Sequence, residues 1–336
     1  MPLPLLVPIV LGAAGLWGAG KGVKAVMDNN EAKEIVNDAQ QIIENAQDDV
    51  EDSRQNAEHS LQALGALKAE TVQTNVLAFL SVFSQIKNVE CDIACADEFK
   101  VKEFNNIVSA LTEQVNFLQS SGLGIVGGAG AGALAAYGAY SGTMLLASAS
   151  TGAAISGLSG AAATNATLAW LGGGTLASGG LGVAGGTLAL SSIVAGPALL
   201  IAGWYMGSKA SANLDNAKSD LAQAKKFKAD CDASCAMTNG ITQTAQLALD
   251  VLGQLRKNAR RQLIALKAVI SRNGDDYKQY GDTEKTIVLR NVKIMQLLKA
   301  FLETPILNEQ GEVLGDSNTK FIEIKQGIEN LENNIR

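Results

Sequence analysis

The sequence predicts an all-α fold, in which long antiparallel amphipathic helices form an elongated bundle with a Gly/Ala-rich head. No proline lies between Pro8 and Pro197, so long helices meet no obstruction over most of the chain. Aromatic residues make up only 5% of the sequence, and alternating strand patterns are scarce. In the polar parts of the chain, apolar residues recur every three or four positions, which is the spacing of a helical face.

The composition changes along the chain divide it into five segments. They are an apolar N-terminal segment (1–27), a long helical arm (28–120), a charge-free Gly-rich region (121–208), a return helical arm (209–304), and a turn followed by a short C-terminal helix (305–336).

The first helical arm begins at Asp28, Asn29 and Asn30, which are residue types that cap helix N-termini. Its apolar positions form a narrow stripe typical of coiled coils and bundles: Ile35, Ala39, Ile42, Ala46, Val50, Ala57, Leu61 and Leu64. Run unbroken to Leu118, this arm would be a rod on the order of 130 Å long. Two stretches could let it fold back, 88–96 and 105–106.

The return arm repeats this pattern after the charge-free region. Its stripe comprises Ala210, Leu214, Ala217, Leu221 and Ala224, and a wider apolar face follows at Leu247, Val251, Leu255, Leu263, Leu266 and Ile270. The sequence Asn-Gly-Asp-Asp at 273–276 predicts a turn. Two further helices are predicted at 286–302 and 320–334.

The charge-free region is the most unusual part of the sequence. From Gln114 to Ser208, 95 residues pass without Asp, Glu, Lys, Arg or His, and 22 of the 35 glycines lie there. Surface elements of water-soluble domains carry ionisable groups on their wet faces. The region is therefore expected to sit in lipid, or to be hidden until it does. The alternative is a soluble, buried glycine-rich core.

Small residues four positions apart let helix backbones touch closely in lipid. The predicted packing positions are Gly124, Gly128, Gly132, Gly182, Gly186, Gly203 and Gly207. Only 193–206 is as apolar as a committed membrane helix, and Trp204 and Tyr205 are placed like interface anchors at its end. The weak hydrophobicity elsewhere favours a segment that is soluble first and inserts later.

The N-terminal stretch 2–20 also carries no charged side chain. Its length is borderline for spanning a bilayer. An inserted anchor, an amphiphilic wedge and a buried core segment are all compatible with it.

The four cysteines form two C-x3-C motifs, Cys91/Cys95 and Cys231/Cys235, placed symmetrically about residue 163. If the arms were antiparallel, the motifs would meet as Cys91–Cys235 and Cys95–Cys231. This arrangement resembles twin C-x3-C helical hairpins stapled by two disulfides. Three states stay open: disulfides, which need an oxidising compartment; four thiolates around zinc; and free thiols in apolar seams.

Enzyme chemistry finds little support, and we expect no cofactor. His59 is the only histidine and lies among polar residues, so histidine-based catalysis and multi-histidine metal sites are excluded. The stretch 15–22 is one residue short of a phosphate-binding loop, with Gly22 where Ser or Thr should coordinate magnesium. A net charge of −6 argues against a nucleic-acid partner.

The segment Ile193–Ile201, together with long helical arms around an uncharged insertion, resembles the α-helical pore-forming toxins of the cytolysin A and haemolysin BL type. The resemblance implies a secreted soluble protein that becomes membrane-bound and forms pores in a lipid bilayer. It also implies homo-oligomers or assemblies with related subunits.

Two features depart from that family: the apolar block is longer than a single tongue, and the N-terminus is more hydrophobic. They keep two alternatives open in the membrane of the producing cell. One is a resident scaffold whose coiled-coil arms recruit protein partners. The other is an effector that permeabilises its own cell's membrane.

Overall fold

The structure is a computed structural model that describes residues 27–89, 101–121, 131–140, 214–307 and 313–333. Within these ranges the chain is helical and contains no β-strand, so the all-α prediction is confirmed. The helices are α1 (Met27–Thr71), α2 (Leu77–Phe83), α3 (Val101–Ser121), α4 (Ala131–Ala139), α5 (Leu214–Asn273), α6 (Asp282–Glu303) and α7 (Ser317–Asn333). A π-helical turn, Val72–Val76, joins α1 to α2.

The first helical arm ends well before residue 120. After Phe83 the chain turns, and Asn88 adopts a positive φ of 60°, a conformation that asparagine tolerates. The Lys87 amide donates to the Asp275 carbonyl at 2.7 Å, which ties this turn to the turn after α5. The other predicted turn, at 105–106, is wrong because these residues lie within α3.

The two long helices α1 and α5 run in the same direction. Three contacts follow in the same order along both: the buried cluster of Ala39 and Ala224, the hydrogen bond of Ser53 to Asn239, and the ion pair of Glu70 with Arg256. The predicted antiparallel relation of these arms is therefore wrong. An apolar stripe with a spacing of three and four is the same in both directions, so it predicts that two helices pair but not their relative direction.

The other described helices pack around the second halves of α1 and α5. Helix α6 runs back along α5, where the Asn291 side chain donates to the Gln262 carbonyl at 3.0 Å. Helix α7 covers both, and the rings of Phe301 and Phe321 lie 5.1 Å apart. We call this part of the molecule, which contains the main hydrophobic core, the body.

The first halves of α1 and α5, residues 27–53 and 214–239, form a two-helix arm. Its buried residues Ala39, Ile43 and Ala224 make a small cluster separate from the main core. Because the two helices are parallel, Met27 and Leu214 begin them at the same end of the arm. Helix α5 has 60 residues and is about 90 Å long, so this end lies far from the body.

Candidate functional site

Helix α4 belongs to the charge-free sequence and packs on α1 with its backbone in contact. A Cβ placed on Gly65 would lie 1.8 Å from the Leu134 carbonyl oxygen. A Cβ on Gly138 would lie 2.0 Å from the Leu61 carbonyl oxygen. Two glycines therefore permit an approach that no other residue allows. This is the close helix contact that small residues make possible in apolar surroundings.

The C-terminus of α4 is capped by side chain and backbone together. The Nζ of Lys68 donates to the carbonyl oxygens of Tyr137, Gly138 and Tyr140, at 3.3, 3.0 and 3.4 Å. The amides of Ile306 and Leu307 donate to the Ala139 carbonyl, at 2.8 and 3.1 Å. The last carbonyls of a helix have no partner within the helix, and its C-terminus attracts positive charge. The amino group of Lys68 supplies hydrogen-bond donors for these carbonyl oxygens and, when protonated, a positive charge at this terminus.

Lys68 is an unusual lysine because its side chain is only 1% exposed. Desolvation by burial lowers the pKa of Lys68 to about 7. The ring of Tyr137 lies 6.0 Å from its Nζ. The Tyr137 hydroxyl in turn donates to Gln114 on α3 at 3.5 Å, and burial raises the pKa of Tyr137 above its usual range. The docked helix is thus held from α1, from α3 and from the 306–307 segment.

Gly65 and Lys68, the two residues of α1 that hold α4, were not identified from the sequence, although the sequence around each is distinctive. Gly65 is the only glycine between residues 31 and 118. Lys68 continues the spacing of Ala57, Leu61 and Leu64, which places its side chain on the apolar face of α1.

The predicted membrane-packing residues are placed only in part. Gly132 lies in the first turn of α4. The remaining positions, together with the interface anchors, lie outside the described residues: Gly124, Gly128, Gly182, Gly186, Gly203, Gly207, Trp204 and Tyr205.

Of the cysteines, Cys91 and Cys95 also lie outside the described residues. Cys231 and Cys235 are free thiols that face α1 in the two-helix arm. Burial raises the pKa of the Cys231 thiol to about 11, and burial followed by the charge of Asp49 raises that of Cys235. Both thiols are therefore protonated and weakly nucleophilic at neutral pH.

Beside these thiols a polar groove separates α1 from α5. It is lined by Asp49, Asp52, Ser53, Asn56, Asp232, Cys235, Ala236 and Asn239. Ser53 crosses it, donating to the Asn239 side-chain oxygen at 3.2 Å. Within the described ranges no group of His, Cys, Asp or Glu side chains is arranged to hold a metal ion.

Among the helices that the structure describes, none combines the length and the apolar character that crossing a bilayer requires. Comparison of the chain with protein-family models, curated proteins and solved structures finds no match.

Proposed function

We propose that the chain is a membrane-inserting helical protein that forms pores by oligomerising through its charge-free segment. The body and the two-helix arm form the water-soluble part in this proposal. The charge-free region 121–208 supplies the part that enters lipid, and it needs no ionised side chain to be buried when it does so.

The observation that carries the proposal is where the uncharged sequences join the folded part. The stretch 2–20 leads into α1 at Met27, and the charge-free segment leads into α5 at Leu214. Since α1 and α5 are parallel, both junctions lie at the same end of the two-helix arm. In this proposal a bilayer that contacts this end of the arm receives both the stretch 2–20 and the end of the charge-free region that precedes Leu214.

The packing of α4 on α1 is a second observation that supports the proposal. This helix contains no charged residue, and it contacts α1 through glycines that let two backbones touch. The same kind of surface lets helices associate in lipid, where no hydrophobic drive brings them together. A second copy of this chain is the partner we expect for such surfaces in an assembled pore.

The tryptophans give this proposal a direct test. All three tryptophans, Trp17, Trp170 and Trp204, lie in the uncharged sequences, so tryptophan fluorescence reports on these sequences alone. We expect a blue shift and quenching by brominated lipids when vesicles are added to the purified full-length protein, together with release of an entrapped dye. Unchanged fluorescence and no leakage between pH 5 and 8, with zwitterionic and anionic vesicles alike, would contradict the proposal.

A matched pair of variants separates insertion from surface adsorption. Leu200→Asp places a carboxylate in the most apolar run and should abolish dye release, because a charge at the bilayer centre costs roughly 3 kcal/mol or more. Gln41→Asp makes a similar change on an exposed face of α1 and should leave release unchanged. Fluorescence changes without leakage in the unmodified protein would instead favour the resident scaffold.

A further inference from the structure

Helix α1 in the two-helix arm and helix α5 in the body carry opposite charge. Across 27–53, α1 has nine acidic residues and one basic residue. Across 251–273, α5 has six basic residues and no acidic residue. The whole chain has a net charge of −6, so the basic part of α5 is an exception within an acidic protein. Each region is suited to a partner of the opposite charge.

The exposed side of α5 in the body presents its charges in one line, which we call the basic stripe. Five exposed residues recur at spacings of three and four, on one face of the helix: Lys257, Arg260, Ile264, Lys267 and Ser271. Within the described residues no carboxylate pairs with Lys257 or Lys267, and Arg260 reaches only Glu70, at 3.9 Å. Ile264, at the centre, is 69% exposed. Most of the charge of this stripe is therefore not neutralised by the described part of the chain.

The exposed side of α1 in the two-helix arm has a stripe with the same spacing, which we call the acidic stripe. Its members are all exposed, and they follow one another at three, four, three and four residues: Asp38, Gln41, Asn45, Asp48 and Asp52. The carboxylates of this stripe form no ion pair among the described residues. Each stripe is about 21 Å long, so one can lie along the whole of the other.

The two stripes of one chain are too far apart to meet. The hydrogen bond of Ser53 to Asn239 relates the levels of the two helices, and it puts Asn45 near the level of residue 231. Ile264 lies on the order of 50 Å further along α5. Within the described helices neither stripe has a partner, and a second copy of this chain offers one for each.

We propose that the acidic stripe of one copy packs against the basic stripe of a second copy. An anionic lipid surface also suits a basic stripe. It does not explain an acidic stripe of the same spacing and length, whereas a second copy explains both. Because the contact joins two different surfaces, each pair of copies keeps one free stripe of each kind. Repetition of such a contact builds a ring where the rotation closes.

This contact goes beyond the proposed function and does not rest on it. Both stripes belong to charged, exposed helix faces, so the contact forms in water and without lipid. In a pore-forming protein it would arrange the copies before the charge-free region inserts.

Sedimentation velocity of the purified full-length protein, without lipid, measures the association over a dilution series. We expect the dissociation constant to rise at least about tenfold between about 0.05 M and 0.5 M sodium chloride, because salt screens exposed charges. Association through apolar surfaces would not weaken over this range.

Charge reversal identifies the two surfaces. The arm variant carries Asp38→Lys and Asp48→Lys, and the body variant carries Lys257→Glu and Lys267→Glu. Each variant alone should associate at least about tenfold more weakly at low salt, because its two stripes no longer have opposite signs. An equimolar mixture should recover the association of the unmodified protein, because the stripes of one variant are opposite in sign to those of the other. Recovery also shows that both variants are folded.

A third variant controls for net charge. Lys225→Glu with Lys226→Glu reverses two exposed lysines of α5 in the two-helix arm, outside the basic stripe. It changes the net charge by the same amount as the body variant does, and it should not weaken association. The arm variant moves the net charge towards zero, which by itself favours association. Weaker association of that variant therefore cannot come from net charge.

An unmodified protein that remains monomeric at low salt throughout the dilution series would overturn the proposal. So would arm and body variants that associate as tightly as the unmodified protein, or a mixture that does not recover association. Loss in the body variant alone, with binding of the unmodified protein to phosphatidylglycerol vesicles, would identify a lipid surface as the occupant instead. Confirmed association in a protein that releases no dye would leave this contact standing and refute only pore formation.

Discussion

Gly65 and Gly138 bring two helix backbones into contact, because each occupies a site where a Cβ would overlap a carbonyl oxygen of the other helix. The contact joins α1, a helix rich in charge, to α4, a helix without any. Neither helix has space for a methyl group there. The docking of α4 on α1 therefore requires glycine at both positions.

Alanine at either glycine should undock α4. The added methyl of Gly65→Ala or Gly138→Ala meets backbone that cannot rotate away, and such overpacking typically costs about 1–3 kcal/mol. We expect the loss as lower exchange protection in 131–140 and a lower urea midpoint.

Gly240→Ala and Gly253→Ala are the matched controls, because they change helical glycines with nothing within 4 Å of the new Cβ. Each should stabilise the protein by about 0.5–1 kcal/mol, since glycine is a poor helix former. If all four variants behaved alike, the glycine contact between α1 and α4 would have no energetic importance.

The helical stripes were predictable because burial follows their period. Ala39, Ala46 and Leu64 were all expected in the seam and are fully buried. A stripe does not specify the relative direction of two helices. In this chain that direction depends on where α5 begins, at Leu214. The hold on α4 also escaped prediction, because the burial of Lys68 depends on carbonyl groups that come together only in the folded chain.

The buried amide of Asn291 gives a second test, of the packing of α6 on α5. It is 1% exposed, and its Nδ2 donates to the carbonyls of Gln262 and Ile287 at 3.0 and 2.9 Å. Asn291→Asp replaces these donors with a carboxylate that faces two carbonyl oxygens. We expect a loss of about 3 kcal/mol or more in the free energy of unfolding at pH 7, measured in urea.

The loss should shrink as the pH is lowered. A buried aspartic acid has a raised pKa, and once protonated it can donate again, so the variant approaches the unmodified protein in acid. Gln296→Glu changes an exposed residue of the same helix and should cost less than about 0.5 kcal/mol. Equal effects of the two variants would show that Asn291 is not buried against α5.

The parallel arrangement of α1 and α5 changes what we expect of the cysteines. The pairing of Cys91 with Cys235 depends on antiparallel arms, and Cys91, four residues after Lys87 in the sequence, lies outside the described residues. Lys87 is bound to Asp275, whereas Cys235 lies about 57 Å back along α5 from the helix end at Asn273. We therefore predict that Cys91 and Cys235 do not pair within one chain and that the cysteines are free thiols.

Alkylation after unfolding without reductant should add four adducts to the intact mass. In the folded protein Cys235 should react before Cys231, which is fully buried and has a pKa of about 11. A disulfide-linked peptide pair joining the two motifs of a monomer would contradict the described arrangement of α1 and α5.

The direction of α5 can be measured with spin labels, which we would place on exposed positions in a background with all four cysteines replaced by serine. Gln41 of α1 and Gln223 of α5 lie near the same level of the two-helix arm, because the cluster of Ala39, Ile43 and Ala224 joins these levels. Pulsed electron resonance should give a distance of about 20 Å for this pair. A label at Lys257 should lie on the order of 50 Å from Gln41.

Antiparallel helices related about residue 163 would put Gln41 level with residue 285, on the order of 90 Å from Gln223. The Gln41–Gln223 pair therefore separates the two arrangements without ambiguity. A short distance would also place Met27 and Leu214 at one pole, which is the geometry on which delivery of both uncharged sequences to a single membrane depends. A long distance would remove that basis, even if vesicles still leaked.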